Sequence, residues 1–221
     1  MRLIVDGNSL LNQALLRGVD HDQGFTIEHE GKTIQVNSAD YGVTGFFDKY
    51  RDLLQRFGVA PRETIVVWDG EGAKALRRTF LPNYKVGRDK APAVNTELNK
   101  ARTAVSQMLK SLGATTVVQK GVEADDVIAY LVTNMRDQRN VVCTGDGDLS
   151  RLVDDNTDVW AGGELNKNPF GGFPHRFITL YKALVGDQSD KIPGAKGFGD
   201  VAFVKLVAMW GLEGLEEVER L

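Results

Sequence analysis

The sequence predicts an α/β fold, a mostly parallel sheet covered by helices on both faces. Three observations predict it: short apolar runs recur along the chain, stretches of helical period separate them, and three of the runs end in an aspartate followed by glycine. The first run is "RLIVDG" at the N-terminus. Residues 25–36, "FTIEHEGKTIQV", break the rhythm and read as a hairpin turning at Glu30-Gly31. "YGVTGFFDKYRDLLQRFG" is amphipathic at helical period and closes on a glycine, where a helix ends.

The next buried strand is "TIVVWDG", near 64–70. Residues 71–96 are polar and basic and carry "LPNYKVGRDKAP", so they read as a long connection projecting from the sheet. A second helix follows in "LNKARTAVSQMLKSLG", then a strand in "TTVVQ" near 115–119. In "GVEADDVIAYL", Val127, Ile128, Leu131 and, beyond it, Met135 recur at helical spacing behind three acids. Acids in a first helical turn complement the positive end of the helix dipole, the plainest reason for them to be there. Strands are predicted again in "NVVCTGDGD" (140–148) and "TDVWAGG" (157–163). From about 176 the chain turns helical, with "IPGAKGFGDVA" joining two helical patterns.

A chain of 221 residues with 42% hydrophobic content can bury a core, so disorder is not its default. The single cysteine, Cys143, excludes a disulfide framework and lies in an apolar run as a buried thiol. The start "MRLIVDGNSLL" is interrupted by Asp6 and is unlike a signal peptide. No segment approaches the roughly 18 to 20 uncharged apolar residues of a membrane span. The expectation is a soluble, intracellular, cytoplasmic protein without a membrane partner.

In parallel sheets, functional groups collect beyond the carboxyl ends of the strands. Asp6, Asp69, Asp146 and Asp148 fall there, joined by Glu123, Asp125 and Asp126, and by Asp187 and Asp190 of "LVGDQSD". Two unit charges 4 Å apart repel by about 4 kcal/mol at an effective dielectric near 20. Such a group needs cations, or some of its members must be protonated. All-oxygen ligands favour Mg²⁺ or Mn²⁺ over zinc. His21, His29 and His175 share no helical or hairpin spacing and read as surface residues.

The net charge of −3 and pI of about 5.7 argue against a polyanionic partner only until the acids are located. Setting these nine apart leaves 21 acids against 27 Lys and Arg, a body of +6. Lys74, Arg77, Arg78, Lys85, Arg88 and Lys90, interleaved with Phe80 and Tyr84, then suit backbone and base contacts to nucleic acid. Gly197, Gly199 and Ala202 fit G-x-G-x-x-A, but no strand precedes them; a helix-turn-helix variant whose turn backbone holds a phosphate or monovalent cation explains them better. An EF-hand starting at Asp146 fails, with Arg151 at the glycine position and Thr157 at the glutamate position.

The stretches "IVDGNSL", "VVWDG", "RRTFLPNYKVGR", "EADDVIAYL", "TGDGDLSRLV" and "VGDQSDKIPGAKGFG" together resemble the 5′ nucleases: flap endonucleases, phage 5′–3′ exonucleases and the 5′ nuclease domain of bacterial DNA polymerase I. The resemblance runs in order to about residue 205. It implies a PIN-like sheet over residues 1–175 with a helical arch at about 71–100, and a helix-hairpin-helix-type region over 176–221. It also implies two Mg²⁺ ions, replaceable by Mn²⁺, held by the nine carboxylates, and a K⁺ ion at the glycine-rich turn. Lys85 matches an arch lysine at the scissile phosphate, with Arg77 or Arg78 and Arg88 as neighbours. Gly197, Gly199 and Lys205 would contact DNA, although Val201 stands where the family often has lysine. The chain stops soon after "WGLEGLEEVERL", as a compact form or a fragment would.

The function implied is metal-dependent cleavage of DNA at 5′ ends, flaps, nicks or gaps, as exonuclease, flap endonuclease or both, in replication and repair. It would act as a monomer, alongside a replicative polymerase, in a bacterial or phage-infected cell. An idle DNA-structure-binding protein of the same fold and a Mg²⁺-dependent phosphatase of small phosphoesters are the rivals. The acid set speaks against the first, and the basic segment and glycine-rich turn against the second.

Overall fold

The computed structural model describes residues 1–16, 25–29, 32–36, 38–87 and 92–220. The chain begins with β1 (Arg2–Asp6), α1 (Gly7–Leu16), β2 (Phe25–His29), β3 (Lys32–Val36) and α2 (Ser38–Phe57). It continues through β4 (Thr64–Trp68), α3 (Ala75–Phe80), α4 (Pro92–Ser111), β5 (Thr115–Val118), α5 (Ala124–Asn134) and β6 (Asn140–Thr144). Then come β7 (Thr157–Ala161), β8 (Glu164–Leu165), α6 (Ile178–Val185), β9 (Gly186–Asp187), β10 (Ile192–Pro193) and α7 (Asp200–Arg220).

The five strands expected from apolar runs form one sheet in the order β5-β4-β1-β6-β7, all parallel, with the unforeseen β8 added antiparallel at the edge. Helices cover both faces, so β1 is apolar without interruption: Leu3, Ile4 and Val5 are fully buried. Side-chain alternation sends Leu3, Val5, Val66, Trp68, Val141 and Cys143 into a core with α1, α2 and α4. Ile4, Ile65, Val67, Val142 and Val159 face the other way, onto Ala124, Ile128 and Val132 of α5. The buried stripe of α5 is therefore centred on Ala124, Ile128 and Val132, while Val127, Leu131 and Met135 are only partly buried beside it.

β2 and β3 pair antiparallel, as the hairpin reading requires, with the Glu30-Gly31 turn outside the described residues. Residues 71–96 are not a plain connection: α3 lies within them and α4 begins at Pro92. Cys143 is a free, buried thiol. His175 departs from the surface reading, because its Nε2 is buried without a hydrogen-bond partner. A separate aromatic core joins Phe173, Phe177, Ile178, Phe203 and Leu215, with the Phe173 and Phe203 rings 5.0 Å apart. Among the described residues no helix is long and apolar enough to cross a membrane.

The first two crossovers place β4 and β5 on one side of β1 and the later ones place β6 and β7 on the other, which opens a crevice at the carboxyl ends of β1, β4 and β6. Gly70, just beyond β4, makes the tightest approach there: a Cβ would lie 1.7 Å from the Gln119 carbonyl oxygen, and its N–H donates to the Val122 carbonyl at 2.9 Å. Gly70→Ala is therefore expected to destabilise the protein by about 3 kcal/mol or more in urea unfolding. Gly72→Ala, at φ +74° with open space around it, should cost about 1 kcal/mol. Equal midpoints for the two variants would contradict this view of the β4–β5 junction.

Candidate metal centre

The crevice is built by backbone geometry first. Asp6 ends β1 and is 5% exposed; its Oδ1 accepts from the Ser9 N–H and its Oδ2 from the Thr144 hydroxyl, both at 2.9 Å. Asp69 follows β4, and its Oδ1 accepts from the Ala124 N–H at 2.8 Å, engaging a donor that α5 leaves unpaired in its first turn. Glu123 is the N-cap residue of α5, yet its side chain makes no cap hydrogen bond. It is 4% exposed and accepts from the Tyr84 hydroxyl at 3.0 Å and the Lys85 ammonium at 2.9 Å, with Arg77 at 2.5 Å. The helix dipole therefore does not account for this acid; a buried cation cluster does.

Beyond β6 the chain bends into a short 3-10 turn, Gly147–Leu152, capped by the Asp146 carboxylate on the Asp148 N–H at 2.9 Å. On the facing side, β9 and β10 form a small hairpin whose Gly186 and Gly194 pack backbone to backbone; a Cβ on Gly186 would lie 2.5 Å from the Gly194 nitrogen. This closeness fixes Asp187, whose Oδ1 accepts from the Ser189 N–H at 2.8 Å and the Asp190 N–H at 3.2 Å. Asp148, Asp187 and Asp190 thus offer oxygens within 4.8 Å of one another.

Two adjoining clefts result. One, of about 380 Å³, is lined by Asp6, Asp69, Glu123, Asp125 and Asp146 together with Asn8, Ser9, Asn12 and Gln13 of α1. The other, of about 420 Å³, is lined by Asp125, Asp146, Asp148, Asp187 and Asp190 with Arg77, Tyr84 and Lys182. Lys85, Asp125 and Asp146 border both.

The electrostatics differ between the clefts. Burial, then the neighbouring Asp69 and Asp146, push the Asp6 carboxyl up to about 6 against the hydrogen bonds it accepts. Asp125 is pushed to about 7 by burial and by Asp6 and Asp146, with Lys85 opposing. In the second cleft, Lys182 bonds both Asp148 and, at 2.6 Å, Asp187. Burial would raise Asp187, but Lys182 and Ser189 hold it down at about 2. Asp148 stays raised, chiefly by burial. Burial alone would lower the Lys85 ammonium, yet Tyr84 and Glu123 keep it above its usual range. The residues fit divalent cations: the donors are carboxylate oxygens, their mutual repulsion needs positive charge, and an ammonium already bridges two of them.

Of the nine acids singled out in the sequence, eight line the clefts. Asp126 does not; it pairs with the Arg77 guanidinium at 2.7 Å. Lys85 stands beside the acids with a left-handed backbone, φ +50°. Arg78 donates to the Tyr84 carbonyl at 3.2 Å, and Arg88 lies outside the described residues. Gly197, at φ +77°, and Gly199, whose carbonyl accepts from the Ala202 and Phe203 N–H groups, precede α7; Lys205 is exposed on that helix, away from both clefts. Sequence reasoning missed Lys182, because its place five residues before Asp187 does not show that it also reaches Asp148. It also missed Tyr84 as a buried partner of Glu123 and Thr144 as the donor to Asp6.

Comparison with known proteins agrees with this arrangement. Residues 1–173 match the family described as 5′–3′ exonuclease, N-terminal resolvase-like domain. A 5′–3′ exonuclease of Bacillus subtilis is 30% identical over 99% of this chain and 72% of its own length. A thermostable DNA polymerase I of Thermus caldophilus is 30% identical over 96% of the chain, which spans only 24% of that polymerase. Among solved structures, the T5 5′-exonuclease with bound zinc superposes with a TM-score of 0.67 at 19% identity, covering 95% of this chain and 75% of that one. A T5 flap endonuclease in complex with DNA and metal ions gives 0.69 at 19% identity, with the same coverage. Both share the PIN-like, mostly parallel sheet. Sheet order, acidic crevice and family match converge, and the chain belongs to the 5′–3′ exonuclease family.

Proposed function

We propose that this chain is a structure-specific 5′ nuclease that hydrolyses DNA phosphodiesters with two Mg²⁺ ions, for which Mn²⁺ substitutes. The observation that carries the reading is the pair of adjoining carboxylate clefts sharing Asp125 and Asp146. Asp6, Asp69, Glu123, Asp125 and Asp146 would hold one ion, and Asp146, Asp148, Asp187 and Asp190 the other; Asp126 stands at the rim through Arg77. When bound, such ions supply Lewis acidity at the phosphate and a water of lowered pKa.

The chain's own residues do the rest. Asp6 is oriented by Ser9 and Thr144, and Asp187 by Ser189, so the carboxylates keep their places when charge arrives. Lys85 and Arg77 neutralise Glu123 at rest, and a phosphodiester entering the clefts competes for these cations; Lys85 then offsets charge developing on the phosphate. Arg78 would extend this basic edge along the DNA strand, and Arg88 would contact the same strand. Residues 1–175 would form the nuclease unit, with the arch at about 71–100. Residues 176–221 would form a helix-hairpin-helix-type unit gripping duplex phosphates through Gly197, Gly199 and Lys205, with K⁺ at the turn.

The substrates would be 5′ ends, flaps and nicked or gapped duplexes. The related region within DNA polymerase I supports work beside a replicative polymerase. Action as a monomer in the cytoplasm completes the proposal.

Single-turnover cleavage of a 5′-flap duplex tests the function. Wild type with Mg²⁺ should release short products from the 5′ end and none with EDTA. Asp148→Asn should lose about 100-fold or more in rate while still binding the flap. Full activity in that variant would sink the metal assignment, and intact DNA with wild type, binding retained, would favour an idle binder.

The raised Asp125 carboxyl makes a second prediction. Its folded value is about 7 against 3.8 unfolded, so between those values the folded state binds more protons and stability falls as pH rises. Without metal at about pH 8, Asp125→Asn should therefore be more stable than wild type by on the order of 2 kcal/mol, the gap closing near pH 4. A variant less stable than wild type at the higher pH, measured by thermal unfolding in EDTA, would refute it.

A further inference from the structure

We propose that Arg102, on α4, binds a backbone phosphate of the DNA strand lying along the Asp69 side of the crevice, a role that rests on the nuclease reading above. Its guanidinium is half-buried and stacks over the Trp68 ring, 5.3 Å from the centroid. Trp68 immediately precedes Asp69 and cannot shift. It is 2% exposed, Phe46 stacks on it at 5.9 Å, and Gly7 packs so closely that a Cβ there would lie 2.8 Å from the indole. Arg102 is thus held on a buried platform within reach of the Asp69 charge, outside the lining of both clefts.

Arg102 combines this stacking on a buried ring with the lack of an anion of its own among the described residues. Among the described residues no hydrogen bond or ion pair engages its guanidinium; only the more distant charge of Asp69 acts on it, and burial holds it below the usual arginine range. At the site Arg77 pairs with Glu123 and Asp126, Lys85 with Glu123, and Lys182 with Asp148 and Asp187; Arg151, half-buried on the wall of the second cleft, also lacks an ion pair among the described residues, but it stacks on no aromatic ring there. Arg56 also stacks on an indole, Trp160, at 4.4 Å, but it is exposed and solvated. Stacking alone therefore does not require burial without a partner. A half-buried guanidinium with no protein anion on its donors is suited to a phosphate, whose oxygens match the planar fork.

The test compares wild type, Arg102→Gln and Arg102→Lys for flap-duplex affinity across salt concentrations in EDTA, with thermal unfolding of each and cleavage by wild type in Mg²⁺. One lost phosphate contact reduces the slope of log affinity against log salt by about 0.9. Arg102→Gln should show that reduction and bind about tenfold more weakly, with an unchanged or raised Tm; Arg102→Lys should keep the slope. Unchanged affinity and slope in Arg102→Gln would overturn the proposal, as would a lowered Tm with an unchanged slope, the mark of a brace for Trp68. If wild type cleaves and the variants match it, this inference alone fails. If wild type neither binds nor cleaves, the nuclease reading fails with it.

Discussion

Mutual repulsion among carboxylates crowded at the end of a buried parallel sheet is the constraint that organises this molecule. Asp6 and Asp125 sit where burial and like charge both oppose ionisation, and their carboxyls are displaced to about 6 and about 7. Such a cluster is tolerated only if its members are locked in place and positive charge is within reach. The locks are short and local: Ser9 and Thr144 on Asp6, Ala124 on Asp69, Ser189 on Asp187. The positive charge comes from segments distant in sequence, Lys85 before α4 and Lys182 on α6.

That division explains the architecture. The sheet has to be parallel and buried to bring Asp6 and Asp69 to one edge, and the reversal of strand order between β1 and β6 opens the crevice beside them. α5 delivers Glu123 and Asp125 by its N-terminus. The β9–β10 hairpin, with its glycines back to back, delivers Asp187 and Asp190 from the opposite wall. Tyr84 and Lys85 are bonded to Glu123, so the basic segment is tied to the crevice by charge, and a phosphate that competes for those cations loosens the tie. Arg102 stands outside these internal pairs, half-buried and without an ion pair among the described residues.

The parallel core was legible because its signal is local. A strand buried on both faces must read as an unbroken apolar run, and β1, β4 and β6 do; an aspartate after such a run ends at the crevice by topology alone. The helical patterns for α2, α4 and α5 were legible for the same reason. Eight of the nine acids therefore came together as read, while Asp126, one residue beyond Asp125, is turned by the helical period toward Arg77. Partners across the crevice were not legible: nothing near Lys182 in sequence announces that it lies between Asp148 and Asp187, separated from the first by more than thirty residues. Nor does the polar composition of residues 71–96 reveal the burial of Tyr84, because its hydrogen bond to Glu123 across the crevice decides it.

The most direct test is crystallography of the protein soaked in Mn²⁺, with anomalous scattering to locate the ions. Two peaks, one among Asp6, Asp69, Glu123, Asp125 and Asp146 and one among Asp146, Asp148, Asp187 and Asp190 with the Lys182 ammonium displaced, are the expected result. A single peak, or Lys182 still bridging Asp148 and Asp187 at saturating Mn²⁺, would contradict a crevice built for two cations.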